Sequence, residues 1–242
     1  MTISSHPDDV VGRASVSDDV FALRPDYRAL LVAVDGFDPR ESLTPNESAI
    51  GDLLARAEAS ARGLDPAGLD GEPHVVAWRA AYRGFGAKPQ RTRPSLEALL
   101  RRAGSGLPRV NPLTDAYNAI SVLHRVPIGG EDLDHYTGPA RLVRAEGTEP
   151  FDTMTDGAEV VEHPEPGEVV WRDDAGVTCR RWNWRQARRT RLRPETTRAL
   201  FILDALDPMT DEALLAAGDE LVAVLAAGAR NLRAGQRLIG PA

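Results

Sequence analysis

A chain of 242 residues, 42% hydrophobic and 27% charged with a formal net charge of −7, has ordinary globular proportions and is long enough to bury a full core. Its single cysteine, Cys179, excludes an intramolecular disulfide. The polar, acidic start of the chain has neither the basic nor the apolar region of a signal peptide, and no run approaches the roughly 18 apolar residues of a membrane span, so no membrane partner is expected and a cytoplasmic location follows by default.

In chain order, residues 1–20 read as a mobile tail and residues 21–242 as a single domain. Tyr27 to Val34 is an unbroken apolar run that predicts a buried strand closed by Asp35-Gly36. Glu47 to Arg62 predicts a helix, with Ile50, Leu53, Leu54 and Ala57 on one face. A second helix is expected from Pro73 to Phe85, broken by Gly84 and Gly86, and a third from Ser95 to Gly104. Asn111 and Pro112 form an N-cap and first-turn pair for a fourth, reaching about His124. Pro127 to Asp134 reads as a Gly-rich acidic loop. Short strands follow at Ala140–Ala145, Glu159–Val161, Val169–Arg172 and Val177–Trp182, separated by turn residues such as Glu146-Gly147 and Asp156-Gly157. Arg198 to Leu206 predicts a further strand. Asp211 to Arg233 predicts a long closing helix with acids in its first turn and Arg230 and Arg233 in its last. Helices and strands are grouped rather than alternating, which indicates an α+β fold.

The acidic net charge conceals a segregation. Residues 79–109 hold eight basic residues and one acid, Glu97, and residues 180–198 hold eight more and one acid, Glu195. If these segments meet in space they form one positive face on an acidic body, the footprint of a polyanion partner; if they lie apart, acids elsewhere neutralise them. The second segment opens Cys179-Arg180-Arg181-Trp182-Asn183-Trp184-Arg185. Arginine interleaved with tryptophan grips phosphates while stacking on bases or ribose. On a strand, Trp182 and Trp184 would share one face, with Arg181, Asn183 and Arg185 on the other. The plainer alternative is an arginine-rich strand whose charges pair with Asp and Glu.

One ordered set of segments resembles a known family: Tyr82-Arg83-Gly84-Phe85-Gly86-Ala87-Lys88-Pro89, Leu107-Pro108-Arg109-Val110-Asn111-Pro112, Asp115 with Tyr117-Asn118, Gly129-Gly130-Glu131-Asp132-Leu133-Asp134, and Asp173-Asp174 through Arg185. The set is similar to the stand-alone B3/B4-domain proteins, relatives of the editing module in the β-subunit of bacterial phenylalanyl-tRNA synthetase. The similarity runs from about Tyr27 to Ala226. It implies a barrel-like mixed β core with helices packed outside. It also implies a partner, the aminoacylated acceptor end of a tRNA, and an activity, removal of a wrong amino acid from tRNA in trans as translation quality control; no DNA partner is expected. In the synthetase a His-Ala-Phe-Asp segment falls where this chain has Gly129 to Asp132. A Gly-Gly-Glu segment, whose Glu reads the tyrosine hydroxyl, falls near Trp182 to Arg185. This chain has no Glu there, so tyrosine specificity does not carry over.

Hydrolysis of an aminoacyl ester needs a positioned water, a stabilised oxyanion and recognition of the amino acid. Gly129 and Gly130 offer close backbone approach, and Glu131 or Asp132 is the candidate to hold the α-ammonium or orient water; the alternative is a tight turn with capping acids. Asn111, Asp115 and Asn118 fall on one helical face and are substrate-binding candidates, with Asn111 as a plain N-cap the alternative. Asp174 joins that list, although a turn before Gly176 also explains it. Trp182 and Asn183 are further substrate-binding candidates. Arg83, Lys88, Arg109, Arg180, Arg181 and Arg185 are the RNA-binding candidates. Cys179 reads as a buried strand residue. Five scattered histidines and one cysteine make no zinc pattern, so neither a metal nor a cofactor is expected. A non-catalytic tRNA-binding or RNA-binding module and, more distantly, a small-molecule sensor are the other readings. The oligomeric state does not follow from the sequence.

Overall fold

The computed structural model describes residues 6–38, 45–62, 64 and 68–241. Its centre is built from the two most apolar runs. Arg28–Asp35 (β2) and Arg198–Ala205 (β10) pair antiparallel over eight residues, with Arg198 opposite Asp35 and Ala205 opposite Arg28. Ile128–Asp132 (β3) adds to the free edge of β10, and Arg233–Ile239 (β11) adds to the free edge of β2, both antiparallel. The sheet order is β11-β2-β10-β3.

This sheet is buried on both faces because alternate residues of β2 and β10 serve two cores. Leu30, Val32, Val34, Phe201 and Leu203 face a helical layer of Pro45–Arg62 (α3), Ser95–Ala103 (α5), Pro112–His124 (α6) and Asp211–Ala226 (α7). Leu31, Ala33, Leu200 and Ile202 face the other way, onto Val10 and Val11 of Pro7–Arg13 (α1), Trp78 and Tyr82 of Pro73–Gly84 (α4), and a second sheet. Each fully buried Leu or Phe contributes about 1.5–3 kcal/mol. A period of two in a continuous apolar run therefore fixes the middle layer of three.

The second sheet runs in the order Ser15–Val16 (β1), Arg141–Arg144 (β4), Val169–Arg172 (β7), Val177–Arg180 (β8) and Arg185–Gln186 (β9). Phe151–Thr155 (β5) and Ala158–Glu162 (β6) form a separate hairpin. Its turn, Asp156-Gly157, has positive φ at both residues (52° and 80°), which suits the right-handed twist of the flanking strands.

The expected α+β class holds, with one change. The strands form three separate sheets and no closed barrel among the described residues. Four local expectations also change. Of the stretch read as a tail, residues 1–5 lie outside the described residues. Residues 7–23 form α1, β1 and Asp18–Leu23 (α2), with Val10, Val11, Ala14 and Val20 buried. The expected Gly-rich loop is mostly β3. Gly130 is needed there because a Cβ would lie 2.7 Å from Leu192 and 3.0 Å from Phe201 and Tyr117. The closing helix ends at Ala226, and Arg233 begins β11, the edge strand of the sheet, with Arg233, Ala234 and Arg237 exposed. The strand through Trp182 ends at Arg180, and residues 181–184 turn the chain into β9.

Candidate functional site

The two cationic segments meet. Arg181 Nη1 donates to Thr92 Oγ1, tying the 181–184 hairpin to the chain just before α5. Between them opens a cavity of about 290 Å³, at the lower end of small-molecule sites. Ser95, Ala98, Leu99 and Arg102 of α5 form one wall, and Trp182, Asn183, Trp184, Arg185 and Gln186 the opposite one. Tyr117 and Asn118 of α6 close a side. Gly129 and Glu131 of β3, Trp171 of β7, Cys179 of β8 and Ile202 and Asp204 of β10 make the floor.

Two carboxyls define its chemistry. Glu131 is 1% exposed, and Tyr136 donates its hydroxyl proton to Glu131 Oε2. Oε1 is buried with no hydrogen-bond partner among the described residues. Burial raises this carboxyl from its ordinary value to about 7, against the hydrogen bonds from Tyr136 and Thr178 that favour its charge. Asp204 is 2% exposed. Tyr27 donates to its Oδ1 at 2.6 Å, and Asn183 Nδ2 stands 3.5 Å from Oδ2. Burial raises Asp204 to about 7 as well. Asn183 is itself fixed from behind, accepting from Tyr82 at 2.9 Å. Burial also raises the Cys179 thiol, and the charges of Glu131 and Asp204 add to that effect, so the thiolate is disfavoured. The cavity therefore combines aromatic walls with acids that exchange protons near neutrality.

The arginine-tryptophan string does not present the two-faced strand expected of it. Arg181 and Trp182 adopt left-handed backbone at φ 48° and 67°, so the two tryptophans point to different surroundings. Trp182 is fully buried, edge-on to Trp78 at 5.3 Å and to Tyr27 at 4.9 Å, and shows the cavity only part of its ring. Trp184 is half-buried at the rim, with the Arg181 guanidinium 4.5 Å from its ring centre and that of Arg185 5.8 Å away. Arg180, expected to anchor RNA, is buried. It donates to Glu168 at 2.9 and 2.8 Å and to Glu162 at 2.9 Å, which leaves it no edge for a phosphate. Arg181 is partly engaged, its backbone N–H on Glu168 at 3.1 Å. Arg185 donates to the Met154 carbonyl at 2.7 Å and lines the cavity.

The remaining candidates divide. Gly129, Glu131, Asn118, Asn183 and Trp182 converge on the cavity. Gly130 contributes backbone, its carbonyl accepting from Gln186 Nε2 at 2.6 Å. Asp132 points elsewhere: Thr196 donates to it at 2.7 Å and the Asp134 N–H at 2.9 Å, which makes it the cap of the Leu133–His135 turn. Asn111 caps α6 by accepting from the Thr114 N–H, and Asp115 accepts from the Val110 N–H; both support the helix start rather than the cavity. Asp174 pairs with Arg141 at 2.7 Å, outside the cavity. Arg109 pairs with Glu58 at 2.9 Å, while Arg83 and Lys88 are exposed around the loop after α4. Asp204, Gln186 and Tyr117 were missed. Asp204 had one signal, a lone acid inside the apolar run of β10. Among the described residues no group of three or more His, Cys, Asp or Glu converges as a metal site, and no helix is long and apolar enough to cross a membrane.

No curated protein matches this chain. Among solved structures, an N-terminal fragment of the phenylalanyl-tRNA synthetase β-subunit from Pyrococcus horikoshii is similar at 12% identity and a TM-score of 0.44. That match covers 93% of this chain and 53% of the other, so this chain spans about half of that fragment. The sequence model of the B3/4 domain matches residues 77–216, more than half of the chain and a stretch that holds every cavity residue named above. The chain belongs to the B3/4 domain family.

Proposed function

We propose that this chain takes the 3′ aminoacyl end of a tRNA into the cavity and hydrolyses its ester. The observation that carries the reading is a pair of buried carboxyls, Glu131 and Asp204, both raised to about 7, on the floor of an aromatic-walled cavity. Membership of the B3/4 domain family supports it. A carboxyl near 7 is divided between its two forms at neutral pH, the state in which it accepts a proton from water efficiently.

In this reading Glu131 is the general base. Its Oε1 takes a proton as the water oxygen bonds to the ester carbonyl carbon. Asn118, which lines the same cavity, is the neutral donor for the carbonyl oxygen as charge develops on it. The bond from that carbon to the ribose oxygen then breaks. The ribose oxygen receives the proton from Glu131, leaving a free amino acid and an uncharged tRNA. Asp204, held by Tyr27 and Asn183, pairs with the α-ammonium. Arg102 and Arg185 at the rim meet the terminal phosphate, and Trp184 borders the adenosine.

The test is a panel of charged tRNAs incubated with the pure protein, following ester loss against spontaneous decay. At least one aminoacyl-tRNA should be cleared faster, with a rate that rises with pH through about 7 as Glu131 ionises. Glu131→Gln should slow that clearance by roughly 100-fold or more. Decay identical with and without protein for every member of the panel ends the reading. Binding without cleavage would instead favour a non-catalytic tRNA-binding module.

A further inference from the structure

We infer that a second site, a cleft between α4 and α5 lined by Arg79, Arg83, Arg93 and Arg101, holds a backbone phosphate of the same RNA. Only the choice of RNA rests on the proposed function; the anion chemistry stands on the cleft. The cleft encloses about 400 Å³, and Asp70, Glu97, Gln90 and Pro89 complete its lining.

Its construction starts from one buried acid. Glu97 is 2% exposed, on the face of α5 opposite to Ala98, Leu99 and Arg102, which line the first cavity. Arg79 donates to both Glu97 oxygens at 2.8 Å, Arg101 donates to Oε1 at 2.9 Å, and Arg93 Nε lies 3.6 Å from Oε1. Burial alone would raise Glu97; the hydrogen bonds from Arg79 and Arg101 outweigh it and hold the carboxyl below its ordinary value. Arg79 and Arg101 also reach the largely exposed Asp70. Arg79, Arg93 and Arg101 thus converge on the buried Glu97, with the exposed Asp70 as a second acid, so three cations face two carboxylates. Arg83 adds a fourth. It is exposed and makes no ion pair among the described residues. Lys88 and Arg91 extend the same exposed surface along the loop into α5. Arg79 and Arg101 have their Nε and Nη2 on Glu97 and Asp70 and supply fixed positive charge, while Arg83 and Arg93 keep guanidinium edges open for a phosphate.

The probe is deacylated tRNA, with binding measured by anisotropy over a salt series. Wild type should bind, with affinity falling steeply as salt rises. Arg83→Glu should weaken binding by roughly tenfold and make the log-log salt slope shallower by about 1. Arg83→Gln should show a smaller loss in the same direction. Arg191→Glu, an equal charge reversal at an exposed arginine in the other cationic segment, should change affinity by no more than about twofold. Two results overturn the inference: wild type that fails to bind deacylated tRNA, or Arg191→Glu weakening binding as much as Arg83→Glu. If the first of these comes with inorganic phosphate that binds wild type but not Arg83→Glu, the cleft is assigned to free phosphate. The probe carries no ester. Absence of hydrolysis therefore sinks the proposed function and leaves this result standing, while hydrolysis without tRNA binding sinks this inference alone.

Discussion

Residues 79–109 and 180–198 each carry eight basic residues and one acid, yet folding pairs their charges differently. In the second segment most of the cations find acids. Arg180 is spent on Glu168 and Glu162, Arg188 on Asp152 and Glu159, Arg189 on Asp173, and Arg198 on Asp35 and Asp134. In the first, Arg79, Arg93 and Arg101 gather on Glu97 and Asp70 and Arg109 pairs with Glu58, while Arg83, Lys88, Arg91 and Arg102 are exposed and make no ion pair among the described residues. Local composition cannot distinguish the two. The difference lies in which distant acids reach each segment: the second sheet and its hairpin bring Asp152, Glu159, Glu162 and Glu168 to the second, whereas Glu58 and Asp70 reach only Arg109, Arg79 and Arg101 of the first. A cationic stretch beside tryptophans looks like a ligand grip in the sequence, but in this fold Arg180, Arg181, Arg188, Arg189 and Arg198 pair with acids, and Arg185 and Trp184 alone of the string stand at the cavity rim.

Breaking the pairs of the second segment should have the largest effect. Arg180→Ala leaves Glu168 buried without its main partner and should cost about 3–5 kcal/mol in chemical denaturation; near-wild-type stability would mean those pairs are dispensable and the contrast between segments is false. Where the segments meet, the effect is one of pH. Burial raises Glu131 from 4.5 to about 7, so between those values the folded chain keeps a proton that the unfolded chain has released. Stability therefore falls as pH rises through that window and levels off above it. Glu131→Gln should flatten its share of the fall, a gain over wild type on the order of 1–3 kcal/mol at pH 8 relative to pH 4.5. A denaturation series with parallel pH profiles for the two proteins would refute the assignment. In the first segment, Glu97→Gln removes the carboxylate that gathers three arginines and should cost about 1–2 kcal/mol at pH 7. Because the Glu97 carboxyl is held below its ordinary value, that contribution is present above the usual glutamate range and lost as pH falls through the folded value. The gap between variant and wild type should then close in acid. Smallest of all, Arg83→Ala should move stability by less than about 0.5 kcal/mol, since the side chain is exposed and makes no ion pair among the described residues. A larger loss by thermal melting would mean that the first segment, too, is used for structure.

Much of the architecture was legible because it follows local rules. The runs of β2 and β10, the apolar spacing of α3 and the Asn111-Pro112 start of α6 each carry their own signal. The failures come from residues whose meaning is set at a distance. Two glycines made β3 look like a loop, yet Gly130 is small because Leu192, Phe201 and Tyr117 crowd it from other elements. β11 has no apolar alternation to read: Arg233, Ala234 and Arg237 are exposed at the sheet edge, and only Leu238 and Ile239 pack against the two cores. The cavity was half visible: Glu131, Asn118 and Asn183 were singled out, but Asp204 hid inside a hydrophobic strand. Asp132, adjacent to Glu131, turned out to be a cap because a strand sends neighbouring side chains to opposite faces.

Helix α5 separates the acid-floored cavity from the arginine cleft, with Ala98, Leu99 and Arg102 on one flank and Glu97 and Arg101 on the other. The gap between the two is thus the girth of one helix, about 10–12 Å with its side chains. That makes the helix a gauge of ligand length. Under the proposed function a free amino acid would fill only one side of it, whereas a residue still attached to a polynucleotide would be long enough to straddle it and gain from both, which would favour the attached form without recognition of a base.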